Sequence, residues 1–482
     1  MIDRRRLLAT GLALATPSAT PLTALSAEAW REDARILRRA YETLHPGLYR
    51  YSTPDQMHRR FERLEAELAA AQDQAGAFLA LTRLTASVRC GHSFPNPLNQ
   101  PDATAAALFG ARDRLPFTFR WIDGEMVITG SADARLTRGT RVLSVDGVPA
   151  GDILGRLTPL ARADGGNDAK RVANMELTGH DRLAAFDIYR PLLWRCGPTA
   201  VLRLAQPGAP PRRVEVDCLA EGEPRGGAPD DHPFRFEIRA GVGILTMTTW
   251  AFYEGRFDWQ GFIAEAMDRL VEERARGLVI DIRENEGGQD CGDLVLARLI
   301  AGDLAKPAYD RFTRYRTAPA DLKPYLSTWD RSFLNWGADA TGPDARGLYR
   351  MTRFDDGPDG DVIRPTGRRF AGPLAVLISA TNSSATFQFA LTVRASGRGV
   401  LVGQTTGGNL RGINGGAFFF LKLPGSGLEA DLPLIATLPR TPQPDAGLAP
   451  DIAVPRSAVA IARGEDPEMA AALAWIRSSP AS

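Results

Sequence analysis

The segment from Leu374 to Gly416 constrains the fold of this chain more than any other part. It begins with an apolar run at residues 374–378, whose length and β-branched content are typical of a buried strand. A polar corner follows at residues 379–384, and residues 385–395 contain neither Gly nor Pro, which favours a helix. The order predicts a strand, a tight corner and a helix N-terminus in succession.

A corner of this kind has two interpretations for Ser384. Strand-to-helix turns present a nucleophilic serine in many α/β enzymes, where first-turn N–H groups such as that of Ala385 can hold an oxyanion. Ser, Thr and Asn are also good helix caps, and the corner alone favours a capping role over a catalytic one. The choice between them depends on the rest of the chain.

Length and composition limit the possible classes of protein. The chain has 482 residues, which is the length of about three domains. Lys and Arg number 58 against 57 Asp and Glu, so the net charge of +1 gives no sign of a nucleic-acid partner. The four cysteines lack C-x-x-C spacing, which argues against zinc. We expect no metal and no cofactor.

The first 29 residues are typical of an export signal. Three arginines at residues 4–6 precede Leu-Leu and a long run that is free of acidic residues, which resembles a Tat signal. An A-x-A-like site at residues 27–29 predicts cleavage there. Pro17 and Pro21 make a stable transmembrane helix improbable. We therefore expect an exported protein, periplasmic or secreted, with no integral membrane segment in the mature chain.

Two further domains are predicted ahead of the part of the chain that contains the Ser384 corner. Residues 30–92 have helical periodicity and predict a small helical cap. Residues 93–219 have a short-strand texture, in which 138–149 resembles the core of a PDZ domain, a fold that binds extended peptides along a sheet edge. A simple β-hairpin with an Asp-Gly turn remains an alternative for that stretch, and the helical insertion at 157–194 does not fit a minimal PDZ domain.

Residues 232–482 have the pattern of an α/β layer. A strand at 242–247, a helix at 262–275 and a strand at 277–283 predict a right-handed crossover. Residues 306–370 show little periodicity and predict a lid or an insertion. The fold class is therefore α/β, within an α+β multidomain chain.

Two other elements supply groups that a serine nucleophile needs. Gly287 and Gly288 follow the strand at 277–283, and a Gly pair lets the backbone turn its N–H groups toward an anion. A serine hydroxyl also needs a base, usually His or Lys. His92 lies at the junction of the helical and β domains and is the candidate base.

Together these pieces resemble the S41 peptidases, which include the C-terminal-processing proteases and the tricorn core protease. The resemblance covers about residues 46–454. Its motifs are Asp281–Gly288, Asn382–Thr386, Val402–Gly408 and Gly447–Ile452. It implies a crotonase-like ββα core, a Ser384 nucleophile, and an oxyanion hole made by the Gly287-Gly288 turn with the N–H of Ala385.

The resemblance is nearer to the His-using branch than to the Ser–Lys branch. Asn409 occupies the position of the dyad lysine, and Arg411 nearby does not deprotonate at working pH. The turn at Cys90–Ser93 is similar to the Asp-Gly-His-Thr turn of the tricorn-like branch, which makes His92 the expected base. In that resemblance the expected acid is Asp445, near the final Gly-x-x-Pro-Asp element. Asn409 and Arg411 are expected to contact substrate.

The resulting prediction is an exported serine peptidase that acts on peptides or proteins. Two alternatives remain open: a catalytically decayed protein that binds peptides or another ligand, and an esterase or amidase of small molecules. Cys90 beside His92 is a rival nucleophile, although two residues apart is a poor spacing for that chemistry. The oligomeric state is not predicted.

Overall fold

The computed structural model describes residues 27–71, 73–179, 183–226, 232–253, 255, 257–354 and 361–480. The predicted export signal lies outside these residues, apart from the A-x-A-like site, which forms the first turn of the first helix. Within the described residues, no helix has both the length and the apolar character that crossing a membrane requires.

Twelve α-helices are present in the described residues. They are α1 Ala27–Leu44, α2 Pro54–Ala69, α3 Gln74–Ser87, α4 Asp102–Phe109, α5 Ala150–Leu157, α6 Asp168–Ala173, α7 Ala185–Trp194, α8 Trp259–Glu272, α9 Cys291–Ala297, α10 Ser384–Ser396, α11 Ala458–Arg463 and α12 Pro467–Ser478.

The strands number twenty in the same residues. They are β1 Phe117–Ile122, β2 Glu125–Ser131, β3 Arg141–Val145, β4 Val148–Pro149, β5 Thr199–Ala205, β6 Arg212–Asp217, β7 Phe234–Arg239, β8 Val242–Met247, β9 Gly277–Asp281, β10 Leu304–Ala305, β11 Tyr309–Thr313, β12 Leu326–Ser327, β13 Ala340–Thr341, β14 Tyr349–Met351, β15 Val362–Ile363, β16 Leu374–Ile378, β17 Val400–Gly403, β18 Ile413–Lys422, β19 Glu429–Pro439 and β20 Ile452–Ala453.

Helices α1 to α3 form the N-terminal part of the structure, where helical periodicity was predicted. Helix α2 begins with a capping box, in which the Thr53 side chain and the Gln56 side chain each bond the other residue's backbone N–H. Its buried residues recur every three or four positions, as one face of an α-helix requires: Met57, Phe61, Leu64 and Leu68. This face joins the same apolar core as the antiparallel sheet that follows.

The region predicted to be PDZ-like folds as an antiparallel sheet in the order β1-β2-β3-β5-β6, with β4 paired to β3. Residues 157–194, the predicted helical insertion, contain α6 and α7 and leave the sheet between β4 and β5. From this insertion, Arg162 and Lys170 bond the carboxylate of Glu286, in the loop that follows β9.

The catalytic layer is a six-stranded sheet in the order β20-β17-β16-β9-β8-β7, parallel except for the edge strand β7. Helices α8, α9 and α10 cover one face, and α12 covers the other. Strands β9 and β16 are neighbours in parallel register, with Asp281 opposite Leu377. The loops that leave their carboxyl ends therefore meet at one edge of the sheet.

The segment predicted to be a lid or insertion, residues 306–370, contributes strands to another six-stranded sheet, which is antiparallel. That sheet has the order β12-β18-β19-β11-β14-β13, with the long β18–β19 hairpin at its centre. Trp329 from this segment packs against Phe418 of β18, with ring centroids 6.0 Å apart. Mixed helices and sheets in several domains confirm the predicted α/β fold class.

Arg283, just after β9, ties the sheet to the last helix. Its guanidinium bonds the carboxylates of Asp281 at 2.7 Å, Asp466 at 2.8 Å and Glu468 at 2.7 Å, while its own side chain is only 18% exposed. Arg283→Met should lower the free energy of unfolding by about 2–4 kcal/mol, because three carboxylates would lose their shared cation. Denaturant unfolding measures this change.

The matched control is Arg368→Met, which removes an ion pair with Glu272 in which both side chains are more than half exposed. It should cost less than about 1 kcal/mol. Equal losses in the two variants would contradict a structural role for the Arg283 cluster.

Candidate active site

The corner that carries Ser384 is held by hydrogen bonds to the loop that follows β9. Asn382, fully buried, donates its amide to the carbonyls of Ile282 at 2.5 Å and Asn285 at 2.9 Å. Its own Oδ1 accepts from the N–H of Ser379 at 2.7 Å. The side-chain amide of Asn382 thus bonds only backbone groups, and these bonds fix the position of the corner relative to the sheet.

Ser384 has a strained backbone, with φ of +52°. This left-handed region is uncommon for a residue with a Cβ and recurs at active sites, including the turn that exposes a nucleophilic serine. Ser383, the residue in the N-cap position, makes no capping bond and donates instead to the carbonyl of Glu286 at 3.1 Å. The Ser383 side chain therefore ties the corner to the loop after β9 and does not cap α10.

The glycine turn lies directly against this corner. A Cβ on Gly287 would come within 2.8 Å of the Ser383 carbonyl oxygen, and a Cβ on Gly288 within 2.2 Å of the Trp250 oxygen. Their φ angles of +116° and +141° also exclude other residues. Only glycine allows this turn to approach the serine corner so closely.

The two glycines differ as hydrogen-bond donors. The N–H of Gly287 donates to Asn285 Oδ1 at 2.9 Å and is already used. The N–H of Gly288 makes no hydrogen bond to the described residues, and Ala385 lies in the first turn of α10, where N–H groups lack helical acceptors. Of the two glycine N–H groups in the turn, the one that can donate to an oxyanion is therefore that of Gly288. The N–H of Ala385 is the second possible donor.

His92 reaches the same pocket from the N-terminal side of the chain. One pocket is lined by His92, Ser384, Gly287 and Gly288 together, and its remaining walls are Phe94, Arg162, Ala251, Tyr253, Glu286, Ser383, Phe418 and Asp431. The imidazole lies beside the Phe418 ring, with centroids 5.9 Å apart. The structure thus brings together residues almost three hundred positions apart in the sequence.

Burial lowers the pKa of His92, and the nearby Arg162 cation lowers it further, while Asp164 and Glu286 oppose the shift. The imidazole is consequently neutral at neutral pH and able to accept a proton. Its Nδ1 is buried and has no hydrogen-bond partner among the described residues.

The acid closest to the His92 turn is Asp164, which the sequence did not single out. Asp164 is 2% exposed, and its Oδ1 accepts from the N–H of Gly91 at 2.9 Å. Its negative charge raises the pKa of His92, against the effect of burial. Asp164 lies in the insertion at 157–194, where no motif or periodicity indicated a catalytic contribution.

Asp445, the predicted acid, is not in the catalytic pocket. Its Oδ1 accepts from the Gly166 N–H at 2.8 Å and from Asn409 Nδ2 at 2.7 Å. Asn409 in turn donates to the Asp164 carbonyl at 3.0 Å. Asp445 therefore contacts the Asp164 segment through Asn409 and does not line the pocket that contains His92 and Ser384.

The predicted substrate contacts also lie elsewhere. Asn409 is fully buried, and its Oδ1 accepts from the Arg411 N–H, so this amide has a structural role. Arg411 is exposed, and its Nε lies 3.4 Å from the Gln443 carbonyl. Neither residue lines the pocket that contains Ser384.

Two other titratable groups lie in the surroundings of His92. Burial raises the pKa of the Cys90 thiol to about 12, so this cysteine stays protonated and is unsuited to act as a nucleophile. Burial also raises the pKa of Asp431, a pocket-lining residue, to about 7, although the amides of Asn96 and Asn99 donate to it. Among the described residues, no group of three or more His, Cys, Asp or Glu is placed to hold a metal ion.

The shape of the glycine turn gives a direct test of the oxyanion site. Gly288→Ala should reduce the rate of serine labelling by a fluorophosphonate by at least about 10²-fold, because the added Cβ would displace a donor N–H. Gly151→Ala is the control, since a Cβ there meets nothing within 4 Å. Equal labelling of both folded variants would remove the turn from the site.

The chain was compared with known proteins. The model of peptidase family S41 matches residues 241–453. No curated protein matches the chain by sequence. The solved structure of mature CPAF complexed with lactacystin has a TM-score of 0.62 at 15% identity, over 91% of this chain and 95% of that chain. Mature CPAF alone gives 0.60 at 16% identity, over 90% and 94%.

A third structure, the photosystem II D1 C-terminal processing protease, aligns over 90% of this chain and 96% of its own, with a TM-score of 0.42 at 16% identity. The similarity to CPAF shows a shared fold. The family match covers the sheet, the glycine turn and the Ser384 corner described above. The C-terminal domain is therefore similar to peptidase family S41, and this match supports a serine-type peptidase.

Proposed function

We propose that the protein is an exported serine peptidase that hydrolyses peptide bonds through an acyl-enzyme, with Ser384 as nucleophile and His92 as general base. The observation that carries this proposal is the shared pocket, which is lined by His92, by the strained Ser384 and by the glycine turn. Nucleophile, base and oxyanion donors are the three parts that acyl transfer needs.

The steps follow from the roles of these groups. Neutral His92 takes the proton of Ser384 Oγ as the oxygen attacks the peptide carbonyl. The N–H groups of Gly288 and Ala385 stabilise the oxyanion, and the imidazolium then protonates the leaving amine. A water molecule, activated by the same imidazole, releases the acyl group and restores Ser384.

Asp164 is the group we assign to stabilise the imidazolium. Its carboxylate is buried next to the His92 turn, and its charge favours the protonated ring that forms during attack. Asp445 contributes indirectly, because it holds Asn409, which holds the backbone of Asp164. This arrangement replaces a direct contact between Asp445 and the base.

Removal of the nucleophile or the base tests the mechanism. Ser384→Ala and His92→Ala should each lower peptide hydrolysis by at least about 10⁴-fold while thermal melting stays near that of the wild type. His58→Ala, a change at a half-exposed imidazole on α2, is the control and should keep full activity. Retained turnover in either site variant would contradict the assignment.

The same proteins distinguish the other possible functions. A fluorophosphonate should label the wild type and not Ser384→Ala. Tight peptide binding by an unlabelled wild type would favour a decayed binding protein. Labelling with turnover of small esters or amides and none of peptides would favour an esterase or amidase.

Export is tested separately from catalysis. Replacing Arg5 and Arg6 by lysine in a bacterial host should leave the precursor in the cytosol, because twin-arginine signals are read by that pair. Arg38→Lys, a change beyond the signal, is the control. Equal amounts of both variants outside the cytosol would contradict a Tat route.

A further inference from the structure

Two cations from one domain converge on a carboxylate in the oxyanion turn of another. Glu286 directly precedes Gly287 and accepts from Lys170 Nζ at 2.7 Å. Arg162 Nη2 binds both oxygens of the same carboxylate, at 2.8 and 2.9 Å. The side chains of Lys170, Arg162 and Glu286 are 3%, 14% and 27% exposed, so this triad lies largely inside the protein.

Arg162 connects this triad to the general base. Its other terminal nitrogen, Nη1, donates to the carbonyl of Gly91 at 2.6 Å, one residue before His92. Its guanidinium also lies over the Phe94 ring, 4.6 Å from the centroid. The Arg162 guanidinium therefore contacts Gly91 before His92 and Phe94 after it, and at the same time binds Glu286 beside the glycine turn.

Lys170 connects the triad to the nucleophile. Its ammonium donates to the Thr381 carbonyl at 2.8 Å, within the corner that leads to Ser384. Glu286 completes this connection, because its backbone carbonyl accepts from the Ser383 hydroxyl at 3.1 Å. The three side chains thus touch the three loops that carry the base, the oxyanion donors and the nucleophile.

The charges in the triad match this arrangement. Burial alone would raise the pKa of Glu286, but the charges of Arg162 and Lys170 outweigh it and hold that pKa well below its ordinary value. The carboxylate is therefore ionised across the pH range in which a peptidase with a neutral His base works. Both ion pairs of Glu286 are therefore present at every pH at which His92 is neutral and can accept a proton.

We propose that Arg162, Lys170 and Glu286 form a positioning clamp that sets the geometry of Ser384, His92 and the Gly288 turn. This inference rests on the proposed function and names residues that act through the catalytic groups rather than on substrate. Because Arg162 and Lys170 belong to the insertion in the 93–219 domain, catalytic geometry depends on how that domain is seated. A misplacement of about 1 Å typically costs about 10²-fold in rate.

The variants Arg162→Met, Lys170→Met and Glu286→Gln test the clamp. Each should slow fluorophosphonate labelling of Ser384 by about 10²-fold, with peptide kcat falling more than KM rises. Arg190→Met is the matched control. It removes a buried arginine that pairs with Asp146 inside the same domain and touches none of the three loops, so labelling should stay near the wild-type rate.

The pH profile separates positioning from a general loss of stability. The charged groups around His92 are Asp164, Arg162 and Glu286, and Asp431 lines the same pocket. In the wild type, the acid limb of activity should lie below the ordinary histidine pKa of 6.5. Loss of the Arg162 cation should move that limb to higher pH, and loss of the Glu286 charge should move it to lower pH. Arg190→Met should not move it.

Coupling gives a second criterion. Arg162→Met made in the Glu286→Gln background should add little to the loss, because both changes break the same contact, and Arg190→Met in that background should leave the labelling rate unchanged. If Arg162→Met does not fold, Arg162→Lys replaces it in the test. Lysine keeps the charge but cannot bind Glu286 and the Gly91 carbonyl at once, so its labelling rate should lie between those of the wild type and Glu286→Gln.

Folded variants that label and hydrolyse at the wild-type rate would overturn the clamp, as would multiplicative losses for Arg162 and Glu286. Activity in Ser384→Ala would instead overturn the proposed function. The two failures are therefore distinguishable.

Discussion

Hydrogen bonds of two buried asparagines hold the catalytic loops together. Asn382 fixes the serine corner to the carbonyls of Ile282 and Asn285, and Asn285 fixes Gly287 and also donates to the Met247 carbonyl at 3.0 Å. Both amides are fully buried, so loss of any partner would leave an unsatisfied polar group that costs about 1–3 kcal/mol. The Ser384 corner and the glycine turn are therefore held to each other and to the backbone around the parallel strands from which they leave.

Local patterns in the sequence were sufficient to predict this half of the site. An apolar run, a polar corner and an uninterrupted helical stretch predicted β16 and α10 almost to the residue, since each depends on near neighbours. The glycine pair was predicted for a similar reason, because only glycine fits a turn that approaches another backbone. The sequence did not distinguish Gly287 from Gly288, since the Asn285 side chain that uses one N–H is visible only in three dimensions.

The surroundings of His92 were less predictable because they depend on contacts between distant segments. Gly91 and Asp164 are 73 positions apart, and Asp164 lies in an insertion whose helical pattern gave no sign of a carboxylate beside His92. Asp445 was assigned from the order of motifs, which does not show that its carboxylate is used by Gly166 and Asn409. A charged residue such as Glu286, in a polar Gly-rich turn, likewise gives no sign that two cations from another domain enclose it.

The central claim is that Ser384, His92 and the N–H groups of Gly288 and Ala385 form one reacting centre. A crystal structure of the protein after reaction with a fluorophosphonate tests it most directly, because the phosphonyl oxygen imitates the oxyanion. We expect phosphorus bound to Ser384 Oγ, the oxygen about 2.7–3.1 Å from both backbone nitrogens, and the imidazole in contact with the serine oxygen. A phosphonyl oxygen directed away from Gly288, or an adduct on another residue, would contradict the account.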